Sequence, residues 1–580
     1  MSSEAIRAPL APNIIPALVV ASALPPLLAY NLTPAATIYN EMLALLGWGA
    51  VLLLGAMGLA ARGRASRPAW EPAIWALGLL AMAPVVSVGW RQLPVSLGAG
   101  PAVVLVTALA VLCLASGLRG PQRFSASDGL CWGLLLAGLL SVAVSLVQVF
   151  LPAQADGVWI ARSGLPGRAI GNLRQPNHLA SLLMWSSVAA VWLAGRHEAV
   201  RRGLPGLLLA LVFAVVLSAS RTGYVGVALL AVWGLLDRSL AKSVRASLLA
   251  TPVMMAAGWG LLALWSASGQ HAFGAAARLA EGAGSPSRMA ILRDALELVR
   301  ANPWFGVGWG EFNFAWSLTP FPHRHTAFFD HTHNLPLQLI VELGLPWALA
   351  VLGLLLWSGW RLLVGALRAD TPELQRQRRA MGMLVLMIGV HSLLEYPLWY
   401  AYFLLPAVFA FGLGLPEAEP QAGGARASPV LVPLLGLAGA LLVTGSAYAY
   451  WDYGRITAIY APGVDAAPLP ERIARGQRSW LFAHHADYAA ATSLPPGPEA
   501  LVAARRTAFS LIDARLLKHW SQSLAQTGDV EAARYLADRL REFRNPIGDE
   551  WLAQCEDAAA SAPAFLCQPT SGVIDWRTLR

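Results

Sequence analysis

Runs of about twenty apolar residues alternate with short polar connections over most of this chain, and a bilayer's hydrocarbon core takes about 20 such residues per helix. The runs fall near 13–31, 40–61, 72–90, 101–118 and 129–151, then near 178–195, 204–220, 222–236 and 246–267. The last four lie near 335–360, 381–395, 398–415 and 429–450. This pattern predicts about thirteen membrane-spanning helices. Two pairs are joined so tightly, at Arg221 and at Glu395, that only turns can connect them. Met1 to Pro12 carries little positive charge and no small-residue cleavage site follows, so the first apolar run reads as a span and not as a cleavable signal. From Trp451 to Arg580 charges become frequent and no span-length run occurs, which predicts a soluble domain. The expected fold is all-α and polytopic, with one long loop between spans and a helical C-terminal domain.

Composition agrees with that class: 56% of the 580 residues are hydrophobic and 13% charged, with a mean hydropathy of +0.53. The net charge of +9 does not point to nucleic acid, because its basic residues sit in alternate connections between spans. These carry Arg62, Arg64 and Arg67, Arg119 and Arg123, Arg196, Arg201 and Arg202, Arg238, Lys242 and Arg245, and Arg361, Arg368, Arg376, Arg378 and Arg379. The positive-inside rule makes these connections cytoplasmic. The outward set is then a loop around 152–177, the turn at Arg221, the loop 268–334, the turn at Glu395, and the C-terminal domain. Cys113 and Cys131 lie in spans as small apolar fillers. Cys555 and Cys567 lie together in the outward domain, where an oxidising compartment permits a disulfide.

The chemically unusual residues all fall on the outward side. In "GNLRQPNHLASLL", Arg174, Gln175, Asn177 and His178 precede a span at a helix start, where donors and the helix dipole suit an anionic or polar ligand as well as a simple cap. In "SASRTGYVG", Arg221 stands among small polar residues, and a guanidinium binds phosphate bidentately without losing its charge. In the long loop, Ser285 and Pro286 read as the cap and first position of an amphipathic helix ended by Asn302-Pro303. Arg288 falls in its first turn, against the helix dipole, which suggests that it is held for a ligand. The following "WFGVGWGEF" is a weak signal on its own.

"PHRHTAFFDHTHN" brings His323, His325, Asp330, His331 and His333 together in sequence, but the spacing matches no zinc motif and no cysteine is near, so no metal is expected. Asn334 reads as a helix cap, and His333 as a general base at the outer mouth of the spans. In "HSLLEYPLWY", Glu395 and Tyr396 form an outer turn broken by Pro397; Glu395 suits a partner for an arginine or a site residue, and Tyr396 an interfacial aromatic or a site residue.

Taken together, "SASRTG", Arg288, and "HN" followed by nine residues and Gly344 resemble the bacterial O-antigen ligase and polymerase superfamily. "RQPNH", the "EYP" turn and the soluble tail are most similar to its protein O-oligosaccharyltransferase branch, the pilin-glycosylation ligases. The resemblance covers about residues 160 to 415. It implies a GT-C-like bacterial inner-membrane enzyme organised as N-terminal spans (1–160), a catalytic membrane core (161–450) and a periplasmic domain (451–580). The implied reaction moves a glycan from undecaprenyl-diphosphate to a serine or threonine of a periplasmic acceptor protein such as a pilin. Arg221 and Arg288 would hold the diphosphate and His333 would accept the hydroxyl proton. The step would invert the anomeric carbon and need no metal or other cofactor.

The alternatives are an O-antigen polymerase or lipid A-core ligase, which would use a sugar hydroxyl as acceptor, and a lipid-linked glycan flippase, which would need charges spread through the spans. "YWDYG" (450–454) resembles a motif of N-oligosaccharyltransferases, but the first outer loop offers only Glu41 toward the carboxylates those enzymes need, so an interfacial aromatic belt is the simpler reading. In the tail, "LLKHWSQSLAQTGDVEAARYLADRLREF" is similar to a tetratricopeptide unit, which suits packing or acceptor docking.

Overall fold

The computed structural model describes residues 14–60, 71–269, 274, 286–416, 430–555, 565–572 and 574–579. Arg62, Arg64, Arg67 and Ser285 lie outside the described residues. Every described element is helical; no strand occurs among the described residues. The protein is thus an all-α, multi-pass membrane protein.

Each of the thirteen expected spans is helical. Nine of the described helices have the length and composition to cross a bilayer: Ile38–Ala60, Pro72–Trp90, Val95–Gly117, Pro121–Phe150, Pro176–Ala194, Glu198–Ser218, Lys242–Ala267, Leu345–Leu367 and Leu431–Tyr460. Ile14–Leu27, Arg221–Leu236 and Ala401–Gly414 are apolar but shorter. Pro372–Ser392 has the length but opens with a charged turn run, Glu373, Arg376, Arg378 and Arg379.

One expected span is corrected. The run 335–360 is not one helix: it breaks at Gly344 into Leu335–Leu343 and Leu345–Leu367. Gly344 has φ +78°, and a Cβ there would lie 2.4 Å from the Trp304 carbonyl oxygen, so no other residue fits the turn without strain. The "WFGVGWGEF" loop fills this break. Val307 N donates to Val341 O (2.8 Å), Gly308 N to Glu342 O (3.0 Å), and Leu345 N to Pro303 O (2.7 Å), so groups orphaned by the broken helix are satisfied by the loop. Gln338 and Glu342 are too few to end a span-length apolar run, so hydropathy alone merges the two helices, although Gly344 with Pro346 two residues on marks the stop.

Between helices in lipid, apolar contact gives no hydrophobic gain, and close packing of small residues with buried polar bonds takes over. Pro176–Ala194, buried along its whole length, is the central case. Ser186 Oγ donates to Leu134 O (2.7 Å) and Trp185 Nε1 to Leu384 O (2.8 Å), tying it to helices on both sides. Ile38–Ala60 packs along Leu431–Tyr460 so closely that a Cβ on Gly439 would meet the Gly49 carbonyl oxygen at 2.7 Å.

The basic connections gather at one end of the bundle. Arg196 bridges Glu373 (2.6 Å) and Asp128 (3.2 Å), Arg361 pairs with Glu71 (3.0 Å), and Arg379 pairs with Asp237. Arg123, buried, donates to Leu415 O at 2.7 Å. The candidate site residues lie at the opposite ends of the same helices.

The tail is a stack of short helices, Leu469–Gly476, Ala483–Ser493, Pro498–Thr507, Ala514–Gln526, Val530–Phe543 and Pro546–Leu552. The antiparallel pair Ala514–Gln526 and Val530–Phe543 buries Leu516, Leu517, Trp520, Leu536, Leu540 and Phe543, with Asp513 and Asp529 as N-caps. Each such large side chain contributes about 1.5–3 kcal/mol when it is buried from water. Cys555 and Cys567 are joined in a disulfide. The tail grips the long loop through Arg324, almost fully buried, which pairs with Glu542 (2.7 Å), donates to Trp316 O (2.7 Å) and lies 4.5 Å from the Phe543 ring centroid. Tyr535 Oη donates to Leu318 O at 2.6 Å, and Phe328 stacks on Phe543 at 3.8 Å.

Candidate active site

The carboxylate of Glu395 is the centre of the polar cluster. It sits in the turn between Pro372–Ser392 and the short 3-10 helix Pro397–Trp399, where Pro397 prevents the helix from continuing. Its Oε2 lies 2.6 Å from His333 Nδ1. Its Oε1 receives Asn177 Nδ2 (3.1 Å) and Arg288 Nη2 (3.4 Å), and Arg288 also donates to Leu394 O at 3.3 Å. Burial raises the Glu395 pKa, but the His333 hydrogen bond and the charges of His333 and Arg288 outweigh it and hold the carboxyl below its ordinary value.

Asn177 passes the cluster on. Its Oδ1 accepts from Ser220 Oγ (2.7 Å), and Ser220 caps Arg221–Leu236 by accepting from Gly223 N (3.3 Å). Arg221 is the first residue of that helix, so the turn that positions it is bonded through Ser220 and Asn177 to Glu395. One carboxylate thereby joins segments that the sequence keeps far apart.

His333 occupies a left-handed backbone conformation, φ +55°, which a β-carbon makes costly and which the surroundings must impose. Thr332 N donates to Gln338 Oε1 (2.7 Å) and Thr332 Oγ1 to Asn334 O (3.0 Å). Asn334 caps Leu335–Leu343, accepting from Leu337 N (3.0 Å), while its Nδ2 donates to Leu393 O (3.0 Å). The cap therefore fixes His333 directly against the Glu395 turn. Tyr396 lies 5.3 Å from the His333 ring and stacks on His331 at 4.0 Å with the planes 8° apart. Burial, together with the charges of Asp330, Tyr400 and Glu395, pushes the Tyr396 phenol up and keeps it protonated. His331, with no role evident from sequence, is thus a platform for Tyr396.

The "RQPNH" residues separate. Gln175 is the cap of Pro176–Ala194, accepting from His178 N (2.7 Å). Arg174 turns away to the carbonyls of Ala29 (2.6 Å) and Ala36 (3.2 Å). His178 is buried in the bundle, 3.3 Å from Tyr402 Oη through Nδ1 and packed edge-on to His391 and Tyr400. Of the four, Asn177 alone contacts Glu395 among the described contacts. Glu41 does not face a loop either: its Oε2 accepts from Ala401 N at 2.6 Å.

The other histidines diverge as well. His325 Nδ1 accepts from Ala327 N (3.1 Å) and the His323 carbonyl accepts from Arg293 (2.5 Å). Among the described residues, no three of His, Cys, Asp or Glu are placed to share a metal ion. "YWDYG" divides: Asp452 and Tyr453 are buried structural groups, Tyr453 Oη donating to Leu32 O at 2.9 Å, and Trp451 is exposed.

Three family matches cover the segments that meet at Glu395. Residues 169–194, which carry Asn177, match the protein glycosylation ligase family. Residues 206–352, with Ser220, Arg221, Arg288 and His333, match the O-antigen ligase family, and residues 380–545, with Glu395, match the C-terminal family of virulence-factor membrane-bound polymerases. Three segments of the chain are thus similar to O-antigen ligase, membrane-bound polymerase and protein glycosylation ligase families. Among curated proteins, a general O-oligosaccharyltransferase of Acinetobacter baylyi is 26% identical over 311 residues, 52% of this chain and 52% of that protein. A ComP-specific O-oligosaccharyltransferase of the same organism is 24% identical over 315 residues, 53% of this chain and 55% of that protein. The match spans about half the length of these relatives. Glu395 and Asn177, less conspicuous in the sequence than Arg221 and His333, are the residues that bond the three matched segments together.

Proposed function

We propose that this protein is an O-oligosaccharyltransferase that moves a preassembled glycan from an undecaprenyl-diphosphate carrier to a serine or threonine of an acceptor protein such as a pilin. The reaction takes place at the periplasmic face of the bacterial inner membrane, where the soluble tail also lies. The observation that carries this reading is the shared Glu395 carboxylate, with His333 on one oxygen and Arg288 on the other.

An ionised carboxylate only accepts, so Nδ1–H of His333 is the donor, and in the neutral form of the ring Nε2 carries the lone pair. That nitrogen removes the proton of the acceptor hydroxyl as the oxygen attacks the anomeric carbon. The new bond is oxygen to anomeric carbon. The bond that breaks joins that carbon to the diphosphate oxygen, which leaves with the electron pair, and direct displacement inverts the configuration. The leaving diphosphate gains charge as this bond lengthens, and fixed guanidinium groups stabilise it. Arg288 suits this task because its contact with Glu395 is long and its side chain is half-exposed, so it can turn to a diphosphate. Arg221, at the start of its helix, adds a second cation beside backbone N–H groups. Glu395 orients the imidazole and stabilises its protonated form. The step as written calls for no metal.

A second reading has its own support in the polymerase-family match over 380–545: the same donor site with a sugar hydroxyl as acceptor. Co-expression with a lipid-linked glycan pathway and a pilin separates the two. Glycan on the pilin is the expected outcome. Lengthened glycan chains with an unmodified pilin would replace this reading by the polymerase.

A further inference from the structure

Where Leu431–Tyr460 leaves the bilayer, "YWDYG" and the first tail helix build a cavity that the transfer reaction does not use. The helix is 30 residues long, about 45 Å at 1.5 Å per residue, and exceeds a hydrocarbon core of about 30 Å. Its exposed leucines, Leu434, Leu437 and Leu441, are followed by exposed Tyr448, Tyr450 and Trp451, the sequence of lipid face and interfacial aromatic girdle. Arg455 lies one turn beyond Trp451, at headgroup depth. With Gly454, Ala458, Arg472 and Arg475, these two residues line a cavity of about 300 Å³.

The three guanidinium groups are held by partners that leave positive charge in the cavity. Arg455 lies 4.3 Å from the Trp451 ring centroid and donates to Arg478 O at 2.9 Å. Arg472 donates to the carbonyls of Ala458 (2.8 Å), Ile459 (2.9 Å) and Ala467 (2.8 Å). Carbonyls are neutral, so these bonds fix the two side chains without cancelling their charge. Two carboxylates pair with the set: Asp452, 3.3 Å from Arg455 and buried with its other oxygen on Ser479 and Leu481 N, and Glu471, 3.6 Å from Arg475. Three cations against two anions leave a net positive site, walled by an indole at the level of lipid headgroups.

We propose that this cavity binds a phosphate group, and its depth points to the phosphodiester of an anionic phospholipid as the source. A planar guanidinium grips two phosphate oxygens at once. Arg455 belongs to the span and Arg472 and Arg475 to the tail, so one bound headgroup would pin the tail domain to the membrane surface.

The test uses the full-length protein in detergent, titrated with phosphatidylglycerol or phosphatidylcholine and read by native mass spectrometry, with thermal unfolding in inorganic phosphate as a second arm. Wild type should retain one more phosphatidylglycerol than phosphatidylcholine, and Arg455→Gln/Arg475→Gln should bind it more weakly by about fivefold per arginine removed. Stabilisation of wild type and not of the variant by inorganic phosphate, without a lipid preference, keeps the phosphate site and overturns its lipid source. Equal lipid retention by wild type and variant, with no phosphate response, overturns the proposal. If the double variant is not recovered folded, Arg475→Gln alone carries the same comparison, since Arg475 is exposed and has only a long contact with Glu471.

Discussion

His333 Nδ1 and Glu395 Oε2 are 2.6 Å apart although 62 positions separate the two residues in the chain. A hydrogen bond this short to an ionised acceptor fixes both the orientation and the tautomer of the ring. Glu395→Gln should leave the protein folded but lower turnover by about 10–100-fold, because the amide can present N–H to Nδ1 and stabilise the wrong tautomer. Steady-state transfer assays check this, and Glu395→Asp should recover part of the loss. A fall in donor KM-dependent rate alone, with turnover intact, would place Glu395 in binding and not in orienting His333.

Acid should spare this pairing until the pH is low. The Glu395 pKa is depressed from its ordinary 4.5, so its contribution to stability is full above about that pH and is lost only as pH falls through the lower folded value. The tail behaves differently. Burial lowers the His485 pKa from 6.5 to about 4, and burial together with the neighbouring His485 lowers that of His484 well below 6.5. A histidine depressed in the folded state stabilises it fully above pH 6.5 and loses that contribution as pH falls toward 4. The melting temperature should therefore drop between pH 7 and pH 5, and the drop should shrink in His484→Asn/His485→Gln.

Gly344→Ala should destabilise the protein by at least about 2 kcal/mol, from the positive φ and from a methyl group driven into the Trp304 carbonyl. Thermal unfolding measures the loss. Because the same turn precedes the span Leu345–Leu367 and follows the helix capped by Asn334, transfer activity should fall further than the folded fraction does.

Arg324→Met removes a buried cation from between Phe543 and Phe321 and takes away one of the two arginines on Glu542, leaving Arg539 at 2.7 Å. The Trp316 carbonyl also loses its donor, and an unmade buried hydrogen bond costs about 1–3 kcal/mol. The tail should become sensitive to limited proteolysis before the membrane core does. Equal protease resistance in variant and wild type would show that the grip on the loop comes from Tyr535 and Phe328 instead.

Much of this was legible in the chain. Span-length apolar runs place the helices, since lipid leaves no other way to satisfy the backbone, and the arginines between them predict which loops share an end. His333, Arg288 and Arg221 stand out because ionisable groups at such depths are costly. What was not legible depends on contacts between distant segments. The break at Gly344 lies within a span-length run that hydropathy reads as one helix, and what fills it, the Trp304–Gly308 backbone, is a distant segment. Glu395 looked like one acid in a turn, and its central position appears only when Asn177, Arg288 and His333 are folded around it. Arg174 and His178 share a motif with Asn177, yet the left-handed turn at Arg174 and the helix that starts at Pro176 send each in its own direction.

The measurement that tests the proposed mechanism most directly is a single-turnover transfer assay with purified protein, a defined lipid-diphosphate oligosaccharide and an acceptor protein, comparing wild type with His333→Gln. A general base contributes about 10²–10⁴-fold, so the variant should bind the donor as wild type does and transfer glycan slower by a factor in that range. A His333→Gln protein that transfers at the wild-type rate would contradict the assignment of His333 as the base.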